Sequence, residues 1–517
     1  MSSRRTLSRN AVWNTAGLVV EAGAGFLVMP FLIRNLGQEG YGIWVVLAAV
    51  FGYFGLLDLG IRGAIGRHVA LYHSRADQDG VNRTVTAGLA FLSAIGLAGL
   101  GAIAVSAPLF FRVFEIHDAH RAGTEVALRL VGLQFAFFLV ATVFDATLWG
   151  LQRFDWLNIV DIPAALLRTA LTLYFVRSPG DIPSLAWVMV GVTVATGLLK
   201  AVLCFRAAPG LRIGSHYLTR SSSLELASFG SWNLITNVAR VSRRQFSVLL
   251  IGALLGVSVT TIFSVADRLL STVTAALAAV TGVLTPYATS LHAARREADQ
   301  RRLFLAGGRY NSAMAFFMSG LLIVMGGPLI DLWVGSAMAP AAAVLAILAT
   351  GEALAGTQYV TNGILVATGR LKAPALFAIA EAGTVCLLTY LLCPRLGLTG
   401  VGLALACPAL IFRGVAPLLQ GSNAVGVTAW GYLFHAVVPS LACAVVSGGA
   451  IGLLSHAYPA ASWSVLVAYA GIYTAVFGVC FVIFTSPTRV RNAPHVTRNP
   501  KLRLPGELTA GTTHTPV

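Results

Sequence analysis

The stretch WNLITNVARVSRRQFSVLLIGALLG, residues 232–256, decides the fold because a matching stretch precedes it. WNTAGLVVEAGAGFLVMPFLIRNLG, residues 13–37, begins with the same Trp-Asn pair and ends with the same Leu-Gly pair, at an offset of 219 (13 against 232). Further along, GLQR at 150–153 lines up with ATGR at 367–370, at an offset of 217 (150 against 367). The shared order and spacing predict an internal repeat.

The composition places the chain in a membrane. Of its 517 residues 56% are hydrophobic and 11% are charged, with a mean hydropathy of +0.77. A soluble domain has about a quarter charged residues. The net charge of +16 is spread over short connections between apolar runs, which argues against a nucleic-acid surface. The six cysteines show neither CxxC spacing nor a histidine cluster, so we expect no disulfide framework and no metal site.

Apolar runs of about 20 residues predict spanning helices. About fourteen runs qualify, near 11–33, 42–61, 84–109, 126–149, 156–176, 182–204, 224–250, 256–285, 303–331, 340–366, 373–393, 398–419, 427–454 and 462–485. Combined with the internal match, they predict an all-α integral membrane protein with two six-helix halves, 11–204 and 224–419, and two further helices within 427–485. Six helices return the chain to the same side of the membrane, so the repeats are parallel.

The basic residues predict the orientation. With a cytoplasmic N-terminus, 25 Lys and Arg, Lys200 and Arg413 among them, fall in cytoplasmic segments, against five outside. Cytoplasmic connections carry the excess of positive charge, so both termini are expected inside the cell. Residues 1–10 and the linker 205–223 are then cytoplasmic, and the polar segment 486–517 is predicted to be a disordered cytoplasmic tail.

Charged residues inside an apolar run are the candidate site. Asn233, Asn237, Arg240 and Arg244 follow a spacing of i, i+4, i+7 and i+11, which places them on one helix face, with Arg243 beside them. An intramembrane arginine costs about 2.5 to 3.5 kcal/mol on insertion scales and normally faces a cavity or a partner. Guanidinium groups match phosphate oxygens, so we interpret this stripe as a diphosphate site. The alternative is that the arginines lie at the outer interface and reach lipid headgroups.

Further charges fall in the predicted spans. Glu21 aligns with Arg240 at the offset of 219, which suggests a pair that forms or breaks during transport, a proton or cation site, or a static partner. Asp267 and Arg268, adjacent on one helix, are candidates for coupling or gating. A third group is expected either to stabilise the bundle by pairing or to act in transport: Arg168, Glu352 and Glu381. Asp58, near a helix end, is assigned to the interface.

Several segments carry a resemblance to a known family. NAVWNTAGLVVEAGAGFLVMPFLIRNLGQEGYGIWVV (10–46) and GYFGLLDLGIRGAIGRHVA (52–70) resemble the start of Wzx-type polysaccharide-biosynthesis flippases. LWGLQRFDWLNIVD (148–161), LVATGRLKAPALFAIAE (365–381) and LGLTGVGLALA (396–406) resemble later parts of the same family. The resemblance covers residues 8–420 and extends to the superfamily that also holds lipid II flippases and multidrug and toxin extruders.

The resemblance implies a function. It implies a multi-pass protein of the bacterial inner membrane that flips a polyprenyl-diphosphate-linked oligosaccharide, an O-antigen, capsule or exopolysaccharide unit, by alternating access. It implies no cofactor, leaves coupling to a proton or sodium gradient open, and suggests a glycan polymerase, export proteins and membrane lipids as partners. Alternatives are a multidrug antiporter, a lipid II-type flippase and, less well supported, a glycan polymerase. The sequence contains no Walker A, HExxH or GxSxG motif, so no enzyme activity is expected.

Overall fold

The computed structural model describes residues 2–55, 61–178, 181–218, 231–370 and 372–485, without side chains for 2–19, 21–22, 231–237, 283 and 485. Within these residues the elements are helices, and no strand is present. Large apolar side chains such as Leu27, Val105 and Leu453 are exposed on the helix surfaces, as a lipid-facing exterior requires. The prediction of an all-α membrane protein is confirmed.

The chain divides into two compact units. Unit 1 comprises residues 1–264 and 386–398, and unit 2 comprises 265–385 and 399–517. The helices of unit 1 are α1 (Ser2–Phe54), α2 (Ile61–Ser74), α3 (Gln78–Val113), α4 (Asp118–Gly150), α5 (Phe154–Phe175), α6 (Ile182–Ala207) and α7 (Ser231–Leu255). The predicted repeat halves differ from these contact-based units, and they stay a prediction.

Helix α4 is the centre of unit 1. It packs against α2, α3 and α6, while α1 packs against α5 and α7. Two clusters of buried apolar side chains hold these helices, one around Phe135 and Leu139, the other around Ile43 and Leu47. The rings of Phe54 and Phe135, 5.3 Å between centroids, join α1 to α4. This packing leaves α4, α5 and α6 side by side around a polar space.

Unit 2 is built around a long helix, α9. Its helices are α8 (Val257–Ala293), whose first turns belong to unit 1, α9 (Glu297–Val334), α10 (Pro340–Ala367), α11 (Lys372–Val425), of which residues 386–398 belong to unit 1, α12 (Ala429–Ala457) and α13 (Trp463–Thr485). Helix α9 packs against α10, α12 and α13. A short 3-10 turn, Gly356–Gln358, interrupts α10, and π-helical segments interrupt α9, α11 and α12. Such irregular turns are frequent at functional sites.

The backbone repeats at the offsets that the sequence shows. Positive φ angles occur at Gly37 and Gly256, 219 residues apart, at values of 76° and 91°. They recur at 54° in the non-glycine pair Ala76 and Arg295, also 219 apart, and at 57° and 73° in Gln152 and Gly369, which are 217 apart.

The turns at these pairs also share their hydrogen bonds. The amide N–H of Asp77 donates to the carbonyl of Tyr72 at 2.9 Å, and the amide of Arg296 donates to Leu291 at 3.0 Å. This six-to-one bond ends a helix at a residue in the left-handed region. The helix ends at Ala76 and Arg295 therefore adopt the same backbone form.

Ten helices of the described residues are long and apolar enough to cross a membrane. One of them, α11, has 54 residues, about 80 Å at 1.5 Å per residue, and its backbone breaks at Gly397. Helix α1 has a similar break at Gly37. Both breaks fall between two predicted spans, so the total of fourteen stays a prediction.

Three further sequence-based assignments are compared with the structure, each with a different outcome. Helix α1 already begins at Ser2, within the segment assigned as an N-terminal extension. Lys200 and Arg413, counted with the connections, both lie inside helices; the excess of basic residues on one side is large without them. The predicted tail, residues 486–517, lies outside the described residues, as does Asp58.

Candidate functional site

A polar cavity of about 680 Å³ lies inside unit 1, between α2, α4, α5 and α6. This volume is within the range of ligand sites, about 300 to 1,000 Å³. Its charged lining residues are Arg62, Asp145, Asp161, Arg168 and Lys200. Uncharged side chains that form hydrogen bonds also line it: Gln134, Thr142, Asn158, Thr193 and Thr196.

Helical spacing explains why these side chains meet. Asn158, Asp161 and Arg168 occupy i, i+3 and i+10 of α5, so they lie on one face. On α6, Thr193 and Lys200 lie two turns apart on one face. The cavity is therefore lined by polar stripes that run along the helices, about 10 to 15 Å long at 1.5 Å per residue.

One end of the cavity holds a cluster of charges. Lys200 Nζ contacts Asp145 Oδ1 at 2.7 Å and Asp161 Oδ1 at 2.8 Å. Arg62 forms an ion pair with the other carboxylate oxygen of Asp145. The cluster joins α2, α4, α5 and α6. Further along the cavity, Gln134 Nε2 donates to Thr193 Oγ1 at 3.4 Å.

The cavity favours a particular ligand chemistry. Three cationic and two anionic side chains line it, and the uncharged groups include both donors and acceptors. Such a lining suits a hydroxyl-rich ligand that carries a negative charge. Among the described residues, no three His, Cys, Asp or Glu side chains come together to hold a metal ion.

Unit 2 contains a second buried charge cluster. Arg413 Nη1 contacts Glu352 Oε2 at 2.8 Å, and Arg413 Nε contacts Glu381 Oε1 at 2.9 Å. The hydroxyl of Tyr359 donates to Glu352 Oε1 at 3.3 Å. Glu352 and Glu381 were expected either to pair within the bundle or to act in transport, and the structure shows them paired by Arg413, which had been assigned to a connection.

The arginine stripe lies on one continuous helix, α7. Arg240 and Arg244 are exposed in the structure and Arg243 is half-buried, while the side chains of Asn233 and Asn237 lie outside those described. Beside the stripe, α7 is joined to α1 by the hydroxyl of Tyr53, which donates to the carbonyl of Ser242 at 3.3 Å. The role of the stripe in binding a diphosphate stays a prediction.

The role of the coupling candidates stays a prediction. The side chain of Glu21 lies outside those described, so its pairing with Arg240 stays a prediction. Asp267 and Arg268 are half-buried on α8, and the backbone carbonyl of Arg268 accepts a hydrogen bond from Ser271 at 2.6 Å. Arg168 is the intramembrane candidate that the cavity includes.

Four charged residues of the cavity were not predicted as site residues from the sequence: Arg62, Asp145, Asp161 and Lys200. Each is close to the end of an apolar run, where a charge has no diagnostic value by itself. One signal was present, because Asn158, Asp161 and Arg168 share a face in the same way as the stripe on α7. The contribution of α4 and α6 needed the tertiary structure.

The fold defines a multi-pass membrane protein, and comparison with known proteins identifies the family. Residues 7–292, more than half of the chain, match the family described as polysaccharide biosynthesis protein. The chain belongs to this family.

Individual relatives resemble this chain in sequence, and solved structures share its fold. A protein of Shigella flexneri named "Putative O-antigen transporter" is 19% identical over 77% of this chain and 94% of its own. "Probable flippase AglR" of Haloferax volcanii is 21% identical over 63% and 64%. Among solved structures, the lipid II flippase MurJ in an inward closed conformation gives a TM-score of 0.68 at 13% identity, covering 91% of this chain and 98% of MurJ. A multidrug resistance MATE family transporter, inward-facing, gives 0.68 at 14% identity over 80% and 98%.

Proposed function

We propose that this protein is a flippase that moves a polyprenyl-diphosphate-linked oligosaccharide across the bacterial inner membrane by alternating access. The observation that carries the proposal is the cavity of unit 1, which offers charged and hydroxyl-binding side chains inside an apolar helical unit. Membership of the polysaccharide biosynthesis family supports this substrate class, as do relatives named for O-antigen transport and flipping.

The proposal divides the substrate between two sets of residues. The sugars occupy the cavity, where amide and hydroxyl side chains exchange hydrogen bonds with water for hydrogen bonds with sugar hydroxyls. The diphosphate contacts the α7 stripe, Arg240, Arg243 and Arg244, with Asn233 and Asn237 on the same face. The polyprenyl tail stays in lipid, because removing so many methylene groups from an apolar environment costs about 0.8 kcal/mol each.

The proposed role needs no chemical step, so the protein acts as a transporter and not as an enzyme. Both termini are proposed to be cytoplasmic, in keeping with the excess of basic residues in the connections that would face the cytoplasm. Glu21, Asp267 and Arg268 are proposed to couple transport to a proton or sodium gradient or to gate it. A glycan polymerase and export proteins are proposed as the partners that receive the flipped unit.

The proposal is tested by measuring flipping in proteoliposomes with a panel of lipid-linked oligosaccharides and, in parallel, a labelled organic cation. We expect transport of at least one lipid-linked sugar and none of the cation. Cation transport without any sugar-lipid transport would assign the protein to the multidrug class. Transport restricted to lipid II would assign it to peptidoglycan precursors.

The arginine stripe is tested in cells that lack their native flippase. We expect Arg240→Gln and Arg244→Gln to abolish most export, because glutamine keeps hydrogen bonding but loses the charge. Lysine at either site restores export in part, since the planar fork is absent, and Arg243→Gln is the mildest change. Arg129→Gln is the matched control, since Arg129 is an exposed arginine of α4 paired with Glu125 and lies outside the cavity. Full export by the Arg240→Gln, Arg244→Gln double variant would show that the stripe does not bind the diphosphate and would favour the alternative, in which the arginines contact lipid headgroups at the membrane interface.

A further inference from the structure

The charge cluster in the cavity has an inner and an outer part. The side chains of Lys200 and Asp145 are 12% and 11% exposed, and they contact each other at 2.7 Å. The side chains of Asp161 and Arg62 are 52% and 53% exposed. All four side chains line the cavity, but the inner pair is largely buried and the outer two groups are half exposed.

The two carboxylates are therefore held differently. Asp145 is buried between two cations, and removing it would leave the Lys200 ammonium without its buried counter-charge, which is strongly unfavourable. Asp161 meets Lys200 from the cavity side and is already half exposed. Water and a ligand can therefore reach its carboxylate, and its separation from Lys200 costs much less.

From this arrangement we infer that Lys200 and Arg62 form an anion-binding subsite, which the Asp161 carboxylate occupies until an anionic group of the substrate displaces it. An ammonium group has three donors, so Lys200 keeps its bond to Asp145 while it exchanges one carboxylate oxygen for an oxygen of the ligand. Arg62 lies on the exposed side of the same cluster and supplies a planar fork suited to phosphate or carboxylate.

Displacement of Asp161 by an anionic ligand explains why an acidic residue lies at this exposed position of the cluster. Asp145 alone cannot neutralise both Lys200 and Arg62, and an uncompensated charge is unfavourable in this low-dielectric site. Asp161 supplies the second negative charge while the subsite is empty. An incoming anion takes its place beside Lys200, and the displaced Asp161 carboxylate, already 52% exposed, is hydrated in the cavity. A cationic ligand would meet Lys200 and Arg62 without relieving any unfavourable charge, so the exchange selects anions.

The inference rests on the proposed function only in naming the ligand. In a lipid-linked oligosaccharide the anionic group is either the diphosphate or the carboxylate of an acidic sugar, and both groups present two oxygens to the same donors. The two sources are separated by testing each group as a small molecule.

The test measures binding to the full-length protein in detergent by isothermal titration calorimetry. The probes are pyrophosphate, glucuronate and, as a neutral sugar, glucose. We expect Asp161→Asn to bind at least one of the anions roughly tenfold more tightly than the wild type, because the competing charge is gone. The matched control is Asp155→Asn, because Asp155 lies on the same helix, pairs with Arg153 at 3.2 Å and does not line the cavity.

Each outcome has a definite meaning. Tighter pyrophosphate binding assigns the diphosphate to this subsite in place of the α7 stripe, and tighter glucuronate binding assigns the subsite to an acidic sugar. Adding Lys200→Gln to Asp161→Asn should remove the gain, and glucose binding should not change. An affinity of Asp161→Asn no greater than that of Asp155→Asn for both anions would overturn the inference. If Asp161→Asn is not monodisperse, Asp161→Ser removes the same charge and replaces it in the test.

The same variants distinguish this inference from the proposed function. If the wild type flips lipid-linked sugars but Asp161→Asn does not change anion binding, the proposed function stands and the subsite is rejected. If Asp161→Asn binds anions more strongly but the protein flips no lipid-linked sugar, the subsite stands and the proposed function is rejected.

Discussion

At the scale of single residues, the sharpest stability prediction concerns Arg413, a half-buried arginine between two buried carboxylates of unit 2. Arg413 contacts Glu352 and Glu381, whose side chains are 1% and 6% exposed. Replacing Arg413 with glutamine leaves two buried carboxylates without their cation, and removing one partner of a buried pair costs about 3 to 5 kcal/mol. We therefore expect Arg413→Gln to lower the unfolding temperature in detergent markedly.

The control for this prediction is another arginine on a helix. Arg129 pairs with Glu125 four residues earlier, and their side chains are 69% and 45% exposed. Exposed pairs contribute about 0.2 to 1 kcal/mol, so Arg129→Gln should leave the unfolding temperature almost unchanged. Equal shifts for Arg413→Gln and Arg129→Gln would show that the buried cluster does not stabilise unit 2.

Single residues also mark how far the sequence could predict the site. Arg168, Glu352 and Glu381 stand out because they interrupt apolar runs. Lys200 and Arg413 were assigned to connections because a charge near the end of a run gives no indication of whether it reaches water or turns inward. Their pairing depends on which helices become neighbours, and hydropathy along one helix carries no information about its neighbours.

At the scale of helices, close contact between α1 and α8 requires a glycine. A Cβ at Gly42 would lie 1.9 Å from the carbonyl oxygen of Val257, and a backbone carbonyl cannot move aside without displacing its helix. We expect Gly42→Ala to lower both the unfolding temperature and the yield of folded protein. Small residues at helix contacts let membrane helices approach closely.

A matched glycine tests whether this effect comes from the contact. On α3, a Cβ at Gly101 would meet nothing within 4 Å. Alanine favours a helix interior over glycine by about 1 kcal/mol, so Gly101→Ala should be neutral or slightly stabilising. A loss of stability in Gly101→Ala comparable to that in Gly42→Ala would indicate a general sensitivity to helix substitution. The loss in Gly42→Ala could then not be attributed to the contact with Val257.

The helices also show where hydropathy succeeds as a predictor. The predicted spans at 182–204 and 340–366 correspond to Ile182–Ala207 and Pro340–Ala367, because a long and mostly apolar run is itself the cause of a spanning helix. The interruption of α10 at Gly356–Gln358 was not predicted. There Asn311 Nδ2 donates to the carbonyl of Gly356 at 2.7 Å, and Tyr432 donates to Thr357 at 2.9 Å. Side chains from other helices compensate for the irregular backbone, so the sequence of α10 alone could not reveal it.

At the scale of the whole molecule, the repeat stays a prediction, although turns share its offset as well as residue pairs. Trp-Asn and Leu-Gly pairs suggested the offset of 219, and the left-handed residues Ala76 and Arg295 obey it although their side chains are unrelated. Helix termination depends on backbone geometry, so the same turn can form from different residues. The charges of the two halves follow no such constraint, which is why the cavity of unit 1 could not be inferred from the repeat.

Orientation is the prediction that concerns the entire chain. Connections with the excess of Lys and Arg stay in the cytoplasm, which places the α3–α4 connection outside and the α8–α9 connection inside. Ala122, near the start of α4, and Ala294, after α8, are both exposed. In a cysteine-free background and in right-side-out vesicles, an impermeant maleimide should label Ala122→Cys at once and Ala294→Cys only after permeabilisation. The cysteine-free parent controls for non-specific reaction, and labelling in the opposite order would reverse the proposed topology, because all connections exchange sides together.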